Sequence, residues 1–307
     1  MMADETELMM RLEDAKVALA RVDPADPEQL KQMVGPVVRM ITRLWSRLNS
    51  PFDSDAWYAV SALLTEHWPE IVSYQSKVIE GEWLNPWGDL VPEDGEIVHP
   101  ADLPYVKAFN ASLRPGAETS ALVTTAWPEP WIGPATQASV LVLGANPGWA
   151  GDEDVESQAR LAHLARANLS GHEPLIWLNE QAHGTPADRW YRSRLLADVL
   201  GSKANIDESI VARSLAFVDF HAYHAVRWHP IPVTLPTQHH TFALVRQRLA
   251  DDALIVLTRC AFEWCVAIPE LTKHPNVYRT RSRQNPRLSP NNLGDEGWNE
   301  LIARLRA

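Results

Sequence analysis

Three short stretches of the chain hold side chains whose types and spacing suit chemistry. The first is Gly144-Ala145-Asn146-Pro147-Gly148-Trp149, in which a turn of Asn, Pro and Gly presents a single amide, Asn146. An amide held there can orient a water or read a polar ligand edge. A glycine turn after a strand also suggests a phosphate cradle. Yet no Gly-Lys-Ser/Thr follows, and the third glycine of the dinucleotide fingerprint is missing. The second stretch, residues 217–224, carries Asp219, Phe220, His221, Tyr223 and His224. The third lies in residues 271–290, where Lys273, Arg279, Arg281, Arg283 and Arg287 occur without an acid. Such a basic stripe can neutralise a few phosphates, or simply be a solvated face.

Other chemistries are disfavoured. His221, His224, His229, His239 and His240 cluster, and the His221-x-x-His224 spacing fits a pair of metal ligands, but no His-Glu-x-x-His occurs. No metal and no cofactor is expected. The 2 cysteines, Cys260 and Cys265, exclude a disulfide scaffold, a four-cysteine zinc site and a cysteine-ligated iron–sulfur cluster. No lysine lies in residues 144–152, 220–228 or 280–292, so a Schiff-base mechanism has no nucleophile in those loops.

The elements that must position these loops follow from hydrophobic periodicity. Residues 139–143, 215–219, 254–258 and 276–279 are short apolar, β-branched runs. Helical patterns over residues 154–168, 189–200 and 238–250 separate the first three runs. Near-continuous apolar strands alternating with helices predict an α/β domain with a four-stranded parallel sheet covered on both faces. Functional loops then sit at the carboxyl ends of the strands. Residues 1–85 read as helices, with Gly35-Pro36 interrupting one of them. Residues 85–120, rich in Pro, Gly and Asp, read as an irregular connection. The expected division is a helical region over 1–120 and an α/β domain over 121–307. The helices are expected to cover apolar surface or, less simply, to bind a protein partner.

Composition bounds the class. The 307 residues are 46% hydrophobic and 22% charged, enough to bury a core. Residues 1–120 hold 20 acids against 10 bases, while the remainder is nearly balanced. A net charge of −11 argues against a general nucleic-acid coat, but not against a local footprint. The acidic start, MMADETELMM, does not read as a signal peptide, and no apolar run is long enough to span a bilayer. A cytoplasmic protein without a membrane partner is expected.

Residues 128–133 (Pro-Glu-Pro-Trp-Ile-Gly) followed by Val140-Leu141-Val142-Leu143-Gly144-Ala145-Asn146-Pro147-Gly148 resemble the first motif of the uracil-DNA glycosylase superfamily, in its mismatch-specific and single-strand-selective branches. Residues 217–224 are similar to the strand bearing that superfamily's base reader. Leu288-Ser289-Pro290-Asn291-Asn292 resembles its second catalytic motif. The resemblance covers residues 121–307. It implies a three-layer α/β/α sandwich and hydrolysis of the N-glycosidic bond of a base flipped out of DNA. Asn146 then holds the attacking water, and either Asn285 or Arg287 donates to the O2 of the departing base. Arg287 or Leu288 fills the gap left by the base, with Ser289, Arg281 and Arg283 against the DNA. Trp149 or Trp177 stacks on the flipped ring, and Phe220 and His224 line the pocket.

Asp219 stands where uracil-reading members have Asn. An ionised carboxylate only accepts hydrogen bonds, which suits the N4 amine of cytosine and opposes the O4 of uracil. This implies excision of a cytosine-type base, and a modified one. Members of the superfamily that defend bacteria by excising glucosylated phage cytosine set the precedent. Ala145, Ala222 and Ala225 leave room for a substituent. Uracil or mismatch repair, a module that binds modified bases without cutting, and a metal-dependent hydrolase are the competing readings.

Overall fold

The computed structural model of the chain describes residues 85–88, 90–231, 233–282 and 284–307. The helices expected within residues 1–85, apart from the last residue, lie outside the described residues, as does Arg283. Of the described residues, 85–229 and 235–307 belong to one compact unit. Its elements run α1 (Leu103–Ser112), β1 (Trp131–Ile132), β2 (Val140–Leu143), α2 (Asp152–Asn168), α3 (Pro186–Trp190), α4 (Ala197–Leu200), α5 (Glu208–Ser214), β3 (Leu215–Val218), α6 (Gln238–Ala250), β4 (Leu254–Leu257), α7 (Ala261–Ala267), β5 (Val277–Arg279) and α8 (Pro290–Arg306). Among the described residues no helix is long and apolar enough to cross a membrane.

The fold is mixed α/β on one mostly parallel sheet, in the order β1-β3-β2-β4-β5. β2 runs parallel to β3 and β4, and β4 parallel to β5. The expected four strands are all present, but the sheet has five. The extra strand, β1, is antiparallel to β3 and comes from the Pro-Glu-Pro-Trp-Ile-Gly stretch. Two residues between prolines and a glycine are too few to show a period, so hydrophobic patterning misses them.

The strands lack polar alternation because both sides of the sheet are covered. Val140, Val142, Leu215, Phe217, Leu254 and Val256 share one core cluster with Leu161 of α2, Val211 of α5 and Leu301 and Leu305 of α8. Successive strand side chains point to opposite faces. On the other face Leu141, Leu143, Ala216, Val218, Ile255 and Leu257 are fully buried as well. Each such aliphatic side chain larger than alanine contributes roughly 1.5–3 kcal/mol on burial. The helical pattern over residues 189–200 is realised as the end of α3, one wide π turn (Tyr191–Leu195) and α4. That turn keeps Tyr191, Leu195 and Leu196 in the same core.

Register sets the site. Leu143 lies opposite both Val218 and Leu257, and Leu257 lies opposite Arg279. The four parallel strands therefore end level. Gly144, Asp219, Thr258 and Thr280 open four loops along one edge of the sheet.

The stretch expected as an irregular connection instead carries α1 and is stitched to the sheet domain. The buried Asp102 carboxylate accepts from the Tyr223 hydroxyl (2.8 Å), the Thr237 hydroxyl (2.5 Å) and the Thr237 amide (3.1 Å). The His99 amide in turn donates to the Tyr223 oxygen at 3.2 Å. Trp87 packs edge-on to the Tyr223 ring at 6.2 Å. Tyr223→Phe leaves one Asp102 oxygen short of a donor and the His99 N–H without its acceptor. Its expected cost is about 1–3 kcal/mol in urea denaturation, with the same dependence on denaturant concentration as the wild type.

Candidate active site

The loop after β2 is pinned along its length. The Gly144 amide donates to Val218 O at 2.8 Å, and Trp264 Nε1 donates to Gly144 O at 2.7 Å. Leu143 O accepts from both the amide (3.0 Å) and the hydroxyl (2.7 Å) of Thr258. Farther out, the His221 amide donates to Ala145 O and the Ala225 amide to Pro147 O, each at 3.2 Å. Gly148 and Ala225 then form a parallel bridge. The loops after β2 and β3 thus continue the sheet beyond its strands. Ala145, Ala222 and Ala225 are buried in this pairing, so their small size serves loop packing rather than open space for a substituent.

Asn146 sits half-buried on this ledge. Its amide nitrogen donates to Pro147 O (2.8 Å) and Ala225 O (3.4 Å). With both N–H bonds engaged, Oδ1 is the atom left to accept from a water. An amide held this way can orient a water but is too weak a base to deprotonate it.

Asp219 follows β3 at the same level. The residue is 3% exposed, and its Oδ1 is fully buried with no hydrogen-bond partner. Burial pushes its carboxyl well above the ordinary carboxylate range. The charge of Glu129 pushes the same way, and the Arg259 guanidinium opposes it. The sequence suggests an ionised acceptor; burial works against that charged form of this side chain. Space for it depends on Gly144, where a Cβ would stand 2.3 Å from the Phe217 ring and 2.6 Å from Asp219 Oδ1.

Glu129 is the functional candidate that sequence reasoning missed. It precedes β1, and the Asp219 amide donates to the carbonyl of the next residue, Pro130, at 3.1 Å. Its Oε1 is buried without a hydrogen-bond partner. Burial raises its carboxyl to about 7. His224 opposes the shift, Asp154 adds to it, and the nearby Trp177 ring N–H, outside normal hydrogen-bond geometry, opposes it least. The only signal in the sequence was a carboxylate wedged between two prolines. The fields of Glu129 and Asp219 both act on the buried Tyr191 phenol, so the three polar groups are neighbours inside one aromatic wall. Phe217, Tyr191 and Trp190 form that wall by edge-to-face packing.

His224 does not face a base. Its Nδ1 meets Gly148 O at 2.8 Å and its Nε2 meets Trp127 O at 3.0 Å, with Glu129 Oε1 3.8 Å from Nε2. His224 is a clamp between loops. Trp149 packs edge-on to it at 5.4 Å and stays half-buried at the mouth. Trp177 is buried in the core. The Phe220 ring is packed against Trp228, Phe242 and Trp264. His221 stacks on Trp228 at 4.9 Å. Burial lowers its ring to about 3, so it is neutral, and neither ring nitrogen has a hydrogen-bond partner.

The loop before α8 corrects several expectations. Leu288 is fully buried in the core and its amide donates to Leu195 O, so it is not a wedge. Ser289 is the N-cap of α8, its hydroxyl accepting from the Asn292 amide. Arg287 is engaged by Asp198 through Nη2 (2.7 Å) and Nε (3.2 Å), which takes up its charge. Asn292 ties the loop together by donating to the carbonyls of Asn285 (2.8 Å) and Arg287 (2.9 Å). Asn285 is exposed, its Oδ1 accepting from the Arg287 amide. Arg281 is exposed too, donating to Asn291 O. Among the described residues, no three His, Cys, Asp or Glu side chains are grouped to hold a metal ion.

No family model, curated protein or solved structure matches the chain.

The Glu129 carboxyl gives a signed pH dependence. Its value is raised from 4.5 to about 7, so the folded chain binds this proton more tightly than the unfolded one. Below 4.5 both states are protonated and the burial carries no ionic penalty. As pH rises through 7 that advantage is lost, up to on the order of 3 kcal/mol. Glu129→Gln is expected to remove this fall in stability from denaturation curves taken between pH 5 and 8. An unchanged slope means the Glu129 environment is wrong.

Proposed function

We propose that the chain is a monofunctional DNA glycosylase. It hydrolyses the N-glycosidic bond of a flipped-out cytosine-type base and leaves an abasic site. Modified cytosine such as glucosylated hydroxymethylcytosine of phage DNA is the candidate target, and antiviral defence the corresponding role. The observation that carries this reading is the pairing of two polar groups on level strand ends. The Asn146 carbonyl is left to accept from a water on the loop after β2, and Asp219 Oδ1 is buried and unpartnered where the loop after β3 begins. In this reading the sheet is the middle layer of a three-layer α/β/α sandwich, and DNA lies across the carboxyl edge in the cell interior. Asn285, Arg281 and Arg259 are exposed on loops at that edge.

The bond breaks with oxocarbenium character in the sugar. Water held by Asn146 Oδ1 then adds to C1′. An amide is a poor base, so its contribution is positioning. Of the two candidates for the second motif, Asn285 is favoured, because Arg287 is tied to Asp198. A donor there stabilises charge building on O2.

A second reading, uracil excision, is favoured by one observation. A protonated Asp219 offers O–H and C=O together, which matches N3 and N4–H of cytosine in one orientation and O4 and N3–H of uracil in the other. Hydrogen-bond matching alone therefore does not separate the two bases. The deciding experiment incubates the chain with duplexes bearing uracil, cytosine, hydroxymethylcytosine or glucosylated hydroxymethylcytosine, followed by alkali. Strand breakage only after alkali, on the cytosine-type duplexes, is expected. Breakage on uracil alone selects the second reading, and no breakage on any duplex overturns both.

Asn146→Ala is expected to slow single-turnover base release about 100-fold or more while duplex affinity stays within a few-fold, since only water positioning is lost. Near-normal release means another group holds the water, with Asp152 the first to examine.

A further inference from the structure

The glycosylase reading leaves one chemical difficulty, on which this inference rests. Uracil departs readily because the negative charge left on the ring spreads over two carbonyls flanking N3. Cytosine has only one carbonyl, at C2, and departs poorly as an anion. A cytosine-type base needs a proton as it leaves. The described residues supply one candidate donor at the level of the base edge.

We propose that Asp219 is the general acid of the reaction: it delivers a proton to ring N3 while its other oxygen accepts from the N4 amine, and Glu129 is the positioning residue that keeps that proton in place until a base arrives.

The geometry supports this in three ways. Asp219 Oδ1 is buried with no protein partner, so the carboxyl is unspent and available to an occupant. Gly144, two residues before Asn146, leaves room for this carboxyl at the end of β2, where a Cβ would stand 2.6 Å from its Oδ1. Glu129, also buried with an unpartnered oxygen, reaches the same pocket from β1's approach, where the Pro130 carbonyl pairs with the Asp219 amide. The groups facing Asp219 are Glu129, the Tyr191 phenol, the Cys260 thiol and the Arg259 guanidinium. Of these only Arg259 is cationic, and it lies on the exposed side. Glu129 itself is faced by His224, Asp154 and the Trp177 ring. Burial and the Glu129 charge both hold the proton on Asp219.

The step balances. The C1′–N1 bond breaks and its electron pair stays on N1. N3 takes the Asp219 proton, so the base leaves neutral and Asp219 becomes a carboxylate at the Watson–Crick edge of the departing base. Water adds to C1′ and sheds a proton, which restores Asp219 through solvent. No other reagent is consumed.

The test is the pH profile of single-turnover base release from a hydroxymethylcytosine duplex between pH 5 and 9. Wild type is expected to lose rate as pH rises and Asp219 ionises. Glu129→Gln removes the neighbouring charge, so its falling limb is expected about one pH unit or more lower. A role in folding alone would not move that limb. Asp219→Asn is expected to lose about 100-fold or more on cytosine-type bases while uracil release is retained or gained. A rate that rises with pH overturns the assignment without any variant; where the profile is flat, the Asp219→Asn comparison decides it. Coincident limbs in wild type and Glu129→Gln overturn the part given to Glu129. Base release with equal loss on cytosine and uracil in Asp219→Asn overturns the acid and leaves the glycosylase reading standing. No base release by wild type from any duplex overturns both.

Discussion

Gly144 is the constraint from which the rest of the site follows. A hydrogen atom there lets the Phe217 ring and the Asp219 carboxyl close over the end of β2, within 2.3 Å and 2.6 Å of where a Cβ would stand. Any larger residue pushes out the ring, the carboxyl or the loop. The ring is the inner wall of the site and the carboxyl its floor. The loop bears Asn146. One missing methyl group thus places three functional parts, and the level register of β2, β3 and β4 makes this possible.

Around that point the protein keeps polar groups in two different conditions. Those that hold the scaffold are saturated. Asp102 accepts three hydrogen bonds, Asn292 stitches its loop, His224 bridges two carbonyls, and Arg287 is matched by Asp198. Asp219 Oδ1 and Glu129 Oε1, by contrast, are buried without a partner, as are both nitrogens of His221. Buried polar atoms are nearly always paired, so the two neighbouring carboxyl orphans stand out.

Much of the fold was legible in the sequence. The four parallel strands, α6 and most of α2 follow from continuous apolar runs and helical spacing, because burial on both faces writes itself into every residue. The level strand ends put Asn146 and Asp219 together, as the motif order suggested. What was not legible depended on neighbours distant in sequence. β1 is too short for a period. The core position of Leu288 follows from its contact with Leu195, and the pairing of Arg287 from Asp198, 89 residues away. The importance of Glu129 lies in a burial that no local pattern announces. The burial of Asp219 and the nearness of Glu129, which together raise its carboxyl, are not visible in its own segment.

The unsatisfied floor also bears on how this protein behaves when idle. Four polar atoms stripped of water and given no partner make the empty state less stable than the scaffold alone warrants. An occupant that supplies donors and acceptors there relieves this penalty, so binding and folding are thermodynamically linked. The loops after β2 and β3 are zipped to each other by backbone hydrogen bonds, so this cost falls on the side chains rather than on the backbone of that edge.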